Sequence, residues 1–190
     1  MNYLILDSET NGLPQSYHVP ITDLSNWPRL ISVAWGVYNE QGHQLSYHYL
    51  LVKPDGYPWN RVAQRIHGIT QERAEREGKL LVEVLQLLQA DIKRADAWVG
   101  HNIDLDFGVI GAELVRTGFM RAEQVAEFAS TPLLCTMNAS KKITINGAPV
   151  RLDELYRLLM NKPIKGMHDA QADMLATAEC FFELKNQGYF

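Results

Sequence analysis

Apolar and polar positions divide the chain into an early strand-rich stretch and a later stretch where strands alternate with helices. Tyr3-Leu4-Ile5-Leu6 predicts a buried strand that runs directly into acids. Residues 15–28 are polar and punctuated by proline, which predicts a loop. A second strand is expected over Leu30 to Tyr38, and Asn39-Glu40-Gln41-Gly42 has turn chemistry leading to a third strand from Leu45 to Val52. These two strands predict an antiparallel hairpin. Beyond Pro58 the period lengthens. Residues 60–66 suit a short helix before His67-Gly68, and Thr70 suits the cap of another. From Lys79 to Arg94 the residues Leu80, Val84, Leu87, Leu88 and Ile92 form a helical apolar stripe. Ala97 to Gly100 predicts a fourth strand, Asp104 to Thr117 a helix, and Pro132 to Cys135 a fifth strand. Leu152, Leu155, Leu158 and Leu159 mark a further helix, and Ala170 to Lys185 a long final one. This order predicts an α/β fold with a five-stranded mixed sheet, its first three strands antiparallel, flanked by helices.

Composition narrows the function more than the fold. The 190 residues are 46% hydrophobic and 21% charged, as expected for a single domain over 1–190. Eighteen basic residues against 22 acidic give a net charge of −4. That excludes coating of nucleic acid or anionic membrane through broad positive charge, but not an enzyme gripping a few nucleotides. Cys135 and Cys180 make neither a disulfide scaffold nor a CxxC zinc site. Acids directly after a four-residue apolar run do not make a signal peptide, and no stretch approaches the ~18 apolar residues of a membrane span. The expected setting is cytoplasmic, without membrane contact.

Three groups of acids depart from the pattern. Asp7 and Glu9 stand two apart on a strand and so point the same way. Two such carboxylates repel unless one keeps a proton or a cation lies between them; the plain alternative is a strand ending in solvent. Asp106 falls among Ile103, Phe107 and Ile110 at helical spacing, on the side that faces a core, where a carboxylate needs a partner. Asp104 faces elsewhere and suits the positive end of the helix dipole. His101 and Asn102 read as turn and cap residues. In the third group, Asp169 is a natural N-cap and Asp173 lies one turn inside, beside Ala172 and Ala176. Were His168 and Asp173 both helical they would stand about 140° apart. They share one site only if His168 lies on the preceding loop, which residues 161–166 can supply. Singly each group has an ordinary structural reading. Together, oxygen-only acids suit a hard cation such as Mg²⁺ or Mn²⁺. Two such ions roughly 3.5–4 Å apart stabilise the attacking and leaving oxygens of phosphodiester cleavage.

The same residues resemble the DEDDh 3′–5′ exonucleases, from LDSETNGL at 6–13 through HNIDLDFGVI at 101–110 to HDAQAD at 168–173. The resemblance implies a ribonuclease H-like fold, with Asp7, Glu9, Asp106 and Asp173 as ligands of two divalent cations and His168 as the general base on a mobile loop. It further implies release of nucleoside 5′-monophosphates from the 3′ end of single-stranded DNA or RNA, DNA being slightly favoured. Thr10, Gly12 and Leu13 would meet the terminal nucleotide, and Asn102 and the His67 element would line the substrate site. Leu105 replaces a usual phenylalanine, and Leu134-Cys135-Thr136 stands where many members carry Asp-Thr. Relatives either dimerise or join a polymerase, so a homodimer partner and a DNA polymerase are both open. RNA end trimming, oligoribonuclease-type activity and a non-catalytic binding module are the alternatives. Among aromatic residues, Trp35 and Trp98 are expected in the core, and the loop residues Trp27 and Trp59 are the stacking candidates. Lys141, Lys142, Lys162 and Lys165 are available to touch phosphates.

Overall fold

The structure, a computed structural model, describes all residues from Met1 to Phe190. Its first strand, β1, spans Asn2–Thr10, so the acids Asp7 and Glu9 lie within the strand rather than beyond its end. β2 (Leu30–Asn39) and β3 (Gln44–Leu51) complete an antiparallel meander, closed by the predicted turn, where Gly42 donates to Asn39 O at 3.0 Å with φ of 83°. Three helices follow: α1 (Arg61–His67), α2 (Gln71–Glu77) and α3 (Leu81–Ile92). β4 (Ala97–Gly100) then pairs parallel with β1, so the sheet becomes mixed at its centre. α4 (Ile103–Arg116), α5 (Val125–Ala129), β5 (Leu133–Cys135), α6 (Thr136–Ser140), α7 (Leu152–Met160) and α8 (Ala170–Asn186) complete the chain. Strand order is β3-β2-β1-β4-β5, the expected five-stranded mixed sheet of a ribonuclease H-like fold.

Alternation along β1 builds both layers. Leu4 and Leu6 face a core shared with Val84, Leu88, Trp98 and Ile110, from α3, β4 and α4. Tyr3 and Ile5 face the opposite side, where Met174, Ala178 and Phe181 of α8 cover them. Burial of each large side chain contributes roughly 1.5–3 kcal/mol relative to exposure, which is what locks the strand register. Asp7 and Glu9 continue the α8-facing row, and Ser8 the α4-facing row. β4 pairs only as far as Val99 opposite Ile5, so the acids extend past its pairing.

Two expectations are corrected. The inward face of α3 is Leu81, Val84, Leu85 and Leu88; Leu80 stands at the N-cap and Leu87 is exposed. Val84 and Leu88 lie inward as expected and Ile92 packs on the same core, whereas Leu81 and Leu85 take the places read for Leu80 and Leu87. Trp27 is not free to stack on a ligand, because it is buried against Gly108 of α4. A Cβ at Gly108 would lie 2.1 Å from the Trp27 ring, and Gly111 admits Ile21 in the same way. The long β1–β2 loop is therefore packed onto α4. Buried Glu113 of α4 fixes its end, accepting from Arg29 Nε at 2.9 Å and Leu30 N at 3.0 Å. Trp35 and Trp98 are core residues, as expected. The short helices α5 and α6 carried no periodic signal. No helix is long and apolar enough to cross a membrane.

Candidate active site

The end of β1 and the start of α8 bring three carboxylates together. Asp7, Glu9 and Asp173 each offer an oxygen, and these oxygens lie within 4.8 Å of one another. Strand alternation puts the first two on the α8-facing side, beside a register irregularity between Glu9 and Thr10 of the kind that re-aims strand ends. Asp106 approaches from the other layer. It is buried in the first turn of α4, with Oδ1 accepting from Ser8 Oγ at 2.6 Å. Asp104, on the same turn, is exposed. α4 thus separates the two aspartates as its periodicity requires.

Electrostatically the cluster is unbalanced. Burial, then repulsion from Asp106, Asp173 and Glu9, raises the Asp7 pKa well above the carboxylate range. Glu9 is pushed up to about 8, again mainly by burial and then by Asp173. Burial also raises Asp106, against the hydrogen bond from Ser8, and it raises Asp173, which the His168 backbone and charge pull back down. No lysine or arginine forms an ion pair with any of the four. A hard divalent cation fits this donor set: oxygen ligands only, converging, and short of positive charge.

His168 lies on the loop before α8, as the angular constraint demanded. Asp169 is the N-cap, accepting from Gln171 N at 3.0 Å, and His168 occupies the left-handed region with φ of 63°. Its backbone N–H donates to Asp173 Oδ2 at 3.1 Å, tying the exposed histidine to the acid cluster. Tyr49 Oη donates to Asp169 Oδ2 at 3.2 Å and anchors the loop from β3.

Beside Glu9 a cavity of about 360 Å³ opens, lined by Ser8, Thr10, Gly12, Leu13, His67 and Leu105 together with Asn60, Val62, Ala63 and Ile66. Thr10, Gly12, Leu13 and His67 thus line one cavity; Asn102 is not among the lining residues. It holds the first position before α4 in a left-handed conformation, with φ of 72° and no side-chain cap bond. The Thr10 hydroxyl is committed to Gly12 O at 2.6 Å. His67 is buried, which lowers its pKa. Ile69 N–H donates to its Nδ1 at 3.0 Å, so the ring proton resides on Nε2, a donor with no partner in the protein. Leu13, Val62 and Ile66 are exposed apolar side chains on the cavity rim. His101 is structural. Its nitrogens meet Thr136 Oγ1 at 3.0 Å and Val150 O at 3.1 Å, and burial lowers its pKa to about 4. Trp59 sits edge-on to His67, with Nε1 bound to Gln64 Oε1 at 2.7 Å. Of the lysines, Lys162 pairs with Glu179 and Lys142 with Tyr189 O. Sequence reasoning missed Ser8 and Asn60. The first carries no signal, whereas Asn60 is a readable N-cap before Arg61-Val62-Ala63.

A mixed 3-2-1-4-5 sheet of ribonuclease H-like topology carries Asp7 and Glu9 on its central strand, where they converge with Asp173 of α8. The chain belongs to the exonuclease family named for RNase T, whose model matches residues 4–181. The structure is similar to that of exonuclease I, with a TM-score of 0.77 and 19% identity over 97% of this chain and 41% of that one. E. coli exonuclease I in complex with a dT13 oligonucleotide superposes with a TM-score of 0.75 at 19% identity, covering 96% and 40%. The zinc-bound form of the E. coli exonuclease I–single-stranded DNA complex gives 0.75 at 19% identity, covering 98% and 40%. The chain therefore spans about two fifths of the length of these relatives. No curated protein matches it by sequence.

Proposed function

We propose that residues 1–190 form one 3′–5′ exonuclease domain that removes nucleoside 5′-monophosphates from single-stranded ends, DNA ahead of RNA. The observation that carries this reading is the convergence of Asp7, Glu9 and Asp173 within 4.8 Å, flanked by Asp106 and without a basic partner. In support of a DNA substrate, an exonuclease of the same fold is known in complex with an oligonucleotide.

Asp7, Glu9, Asp106 and Asp173 would hold two divalent cations, Mg²⁺ or Mn²⁺. Bound there, such ions stabilise charge on the attacking and leaving oxygens of a displacement at phosphorus. The residues themselves do the rest. His168 accepts the proton of the attacking water, from a loop held at Asp173 and at Tyr49–Asp169. Leu13, Val62 and Ile66 pack on the terminal base. His67 Nε2–H donates to an oxygen of the terminal nucleotide, and the Gly12 backbone allows close approach. A cavity of about 360 Å³ closed by β1 and α1 holds one terminal nucleotide, which favours an exonuclease over an endonuclease.

The test is digestion of 3′-labelled and 5′-labelled single-stranded DNA and RNA, with Mg²⁺ or with chelator, beside a circular DNA. Labelled mononucleotide should leave the 3′ end first, DNA should be cut faster, and chelator should stop both reactions. Cutting of the circle at a comparable rate, or activity in chelator, contradicts the reading.

A further inference from the structure

Helix α1 forms one wall of the nucleotide cavity, yet it buries only Ala63 and His67. A seven-residue helix with so little buried surface does not hold its own place, so its ends must be fixed from outside. The C-terminal end is closed locally by Gly68, with φ of 70°, and by the Ile69–His67 hydrogen bond. The N-terminal end is fixed by Asn11, the second residue after Glu9. Asn11 Oδ1 accepts from Asn60 N at 2.8 Å, and Asn11 Nδ2 donates to Pro58 O at 2.8 Å. Asn60 in turn caps α1, accepting from Val62 and Ala63 N. Asn11 is itself held at the mouth of the sheet, its N–H donating to Arg29 O at 2.9 Å. Beside this crossbar Gly12 has φ of 135°, and a Cβ there would stand 3.2 Å from Asn60 Nδ2. The two walls of the cavity are thus joined through one side chain.

We infer that Asn11 is a positioning residue that sets the separation between the carboxylate end of β1 and helix α1, and so the fit of the terminal nucleotide. The inference rests on the exonuclease reading of the same site. Asn11 touches neither the reacting atoms nor the four acids, so its removal should loosen nucleotide binding and leave cation binding and turnover nearly intact.

The experiment compares wild type, Asn11→Ala and Asn11→Asp. Affinity for thymidine 5′-monophosphate is measured by calorimetry in Mn²⁺, alongside kcat and KM on p-nitrophenyl thymidine 5′-monophosphate and Mn²⁺ affinity alone. Asn11→Ala should weaken mononucleotide binding and raise KM by roughly tenfold, as expected for the loss of two neutral hydrogen bonds. Its kcat should stay within about twofold and its Mn²⁺ affinity should not change. Asn11→Asp keeps the acceptor for Asn60 N but sets a carboxylate oxygen against Pro58 O, so it should weaken binding at least as much as Asn11→Ala. Should the alanine variant fail to fold, the aspartate variant alone decides, by raised or unchanged KM. Unchanged nucleotide affinity, or a joint fall in kcat and Mn²⁺ affinity, overturns the inference. A wild-type protein that binds the mononucleotide but does not hydrolyse the ester sinks the exonuclease reading, while the binding comparison still tests Asn11.

Discussion

Asp7 and Glu9 are carried on the central strand of the sheet, so neither can swing away from the other or from Asp173. Their charges therefore oppose folding until a cation arrives. Replacing Asp7 with Asn removes the central charge, and activity should fall at least about 10³-fold. The same variant should melt a few degrees higher than wild type in chelator, since it relieves repulsion among buried acids; differential scanning calorimetry checks this. His168→Ala is expected to behave differently, lowering kcat by about 10²–10⁴-fold while Mn²⁺ affinity stays unchanged. The residue scale was the most legible in the sequence. Acids at an apolar strand end, at a core-facing helix position and one turn into a helix each have an ordinary structural reading, and a shared partner accounts for all three at once. What stayed hidden depends on contacts made at a distance in sequence. Ser8 on Asp106 is one case, and Asn11 on Asn60 at the start of α1 is another.

At the scale of elements, packing selected among faces that the pattern left equivalent. The α3 stripe read through Leu80, Val84, Leu87, Leu88 and Ile92 placed Val84 and Leu88 correctly, but Leu81 and Leu85 rather than Leu80 and Leu87 complete the buried face. Which leucines turn inward depends on the sheet the helix lands on, and that is tertiary. Trp27 lay in a polar, proline-rich stretch and read as loop, but Gly108 opens a slot for it on α4. The short helices α5 and α6, at five residues each, are below the length at which periodicity shows. By contrast the break before α8 was readable, because only a loop position lets His168 and Asp173 share a site. The slot for Trp27 yields a sharp prediction. Gly108→Ala places a methyl 2.1 Å from the indole and should cost about 1–3 kcal/mol, read as a lower urea midpoint at unchanged slope. The loop it displaces leads through Arg29 and Glu113 to the mouth of the site, so activity should also fall at temperatures below the transition.

The whole molecule carries a net charge of −4, and four of its 22 acids are the clustered carboxylates. Two bound divalent cations would bring the chain to neutrality, with its charge focused where a phosphate is held. The raised carboxylate pKa values make this visible as a pH dependence. An acid whose pKa is higher folded than unfolded binds more protons in the native state, so stability falls as pH rises between the two values. For Glu9 that window runs from the ordinary range near ~4 up to about 8. In chelator the protein should therefore lose stability from about pH 5 to pH 8, and saturating Mg²⁺ should remove most of the loss. Thermal melts across that range, with and without the cation, are the check. A flat profile in chelator would mean that the acids are solvated rather than crowded.

Asp7, Glu9, Asp106 and Asp173 are proposed to form one cation-loaded hydrolytic centre. It is tested most directly by titrating Mn²⁺ at pH 8 and following, in the same samples, ions bound by electron paramagnetic resonance and release of 3′-labelled nucleotide. About two ions should bind per chain, activity should rise with their binding, and both signals should be lost in Asp7→Asn and Asp173→Asn. Nucleotide release that proceeds without bound Mn²⁺, or tight Mn²⁺ binding that survives in both variants, would contradict it.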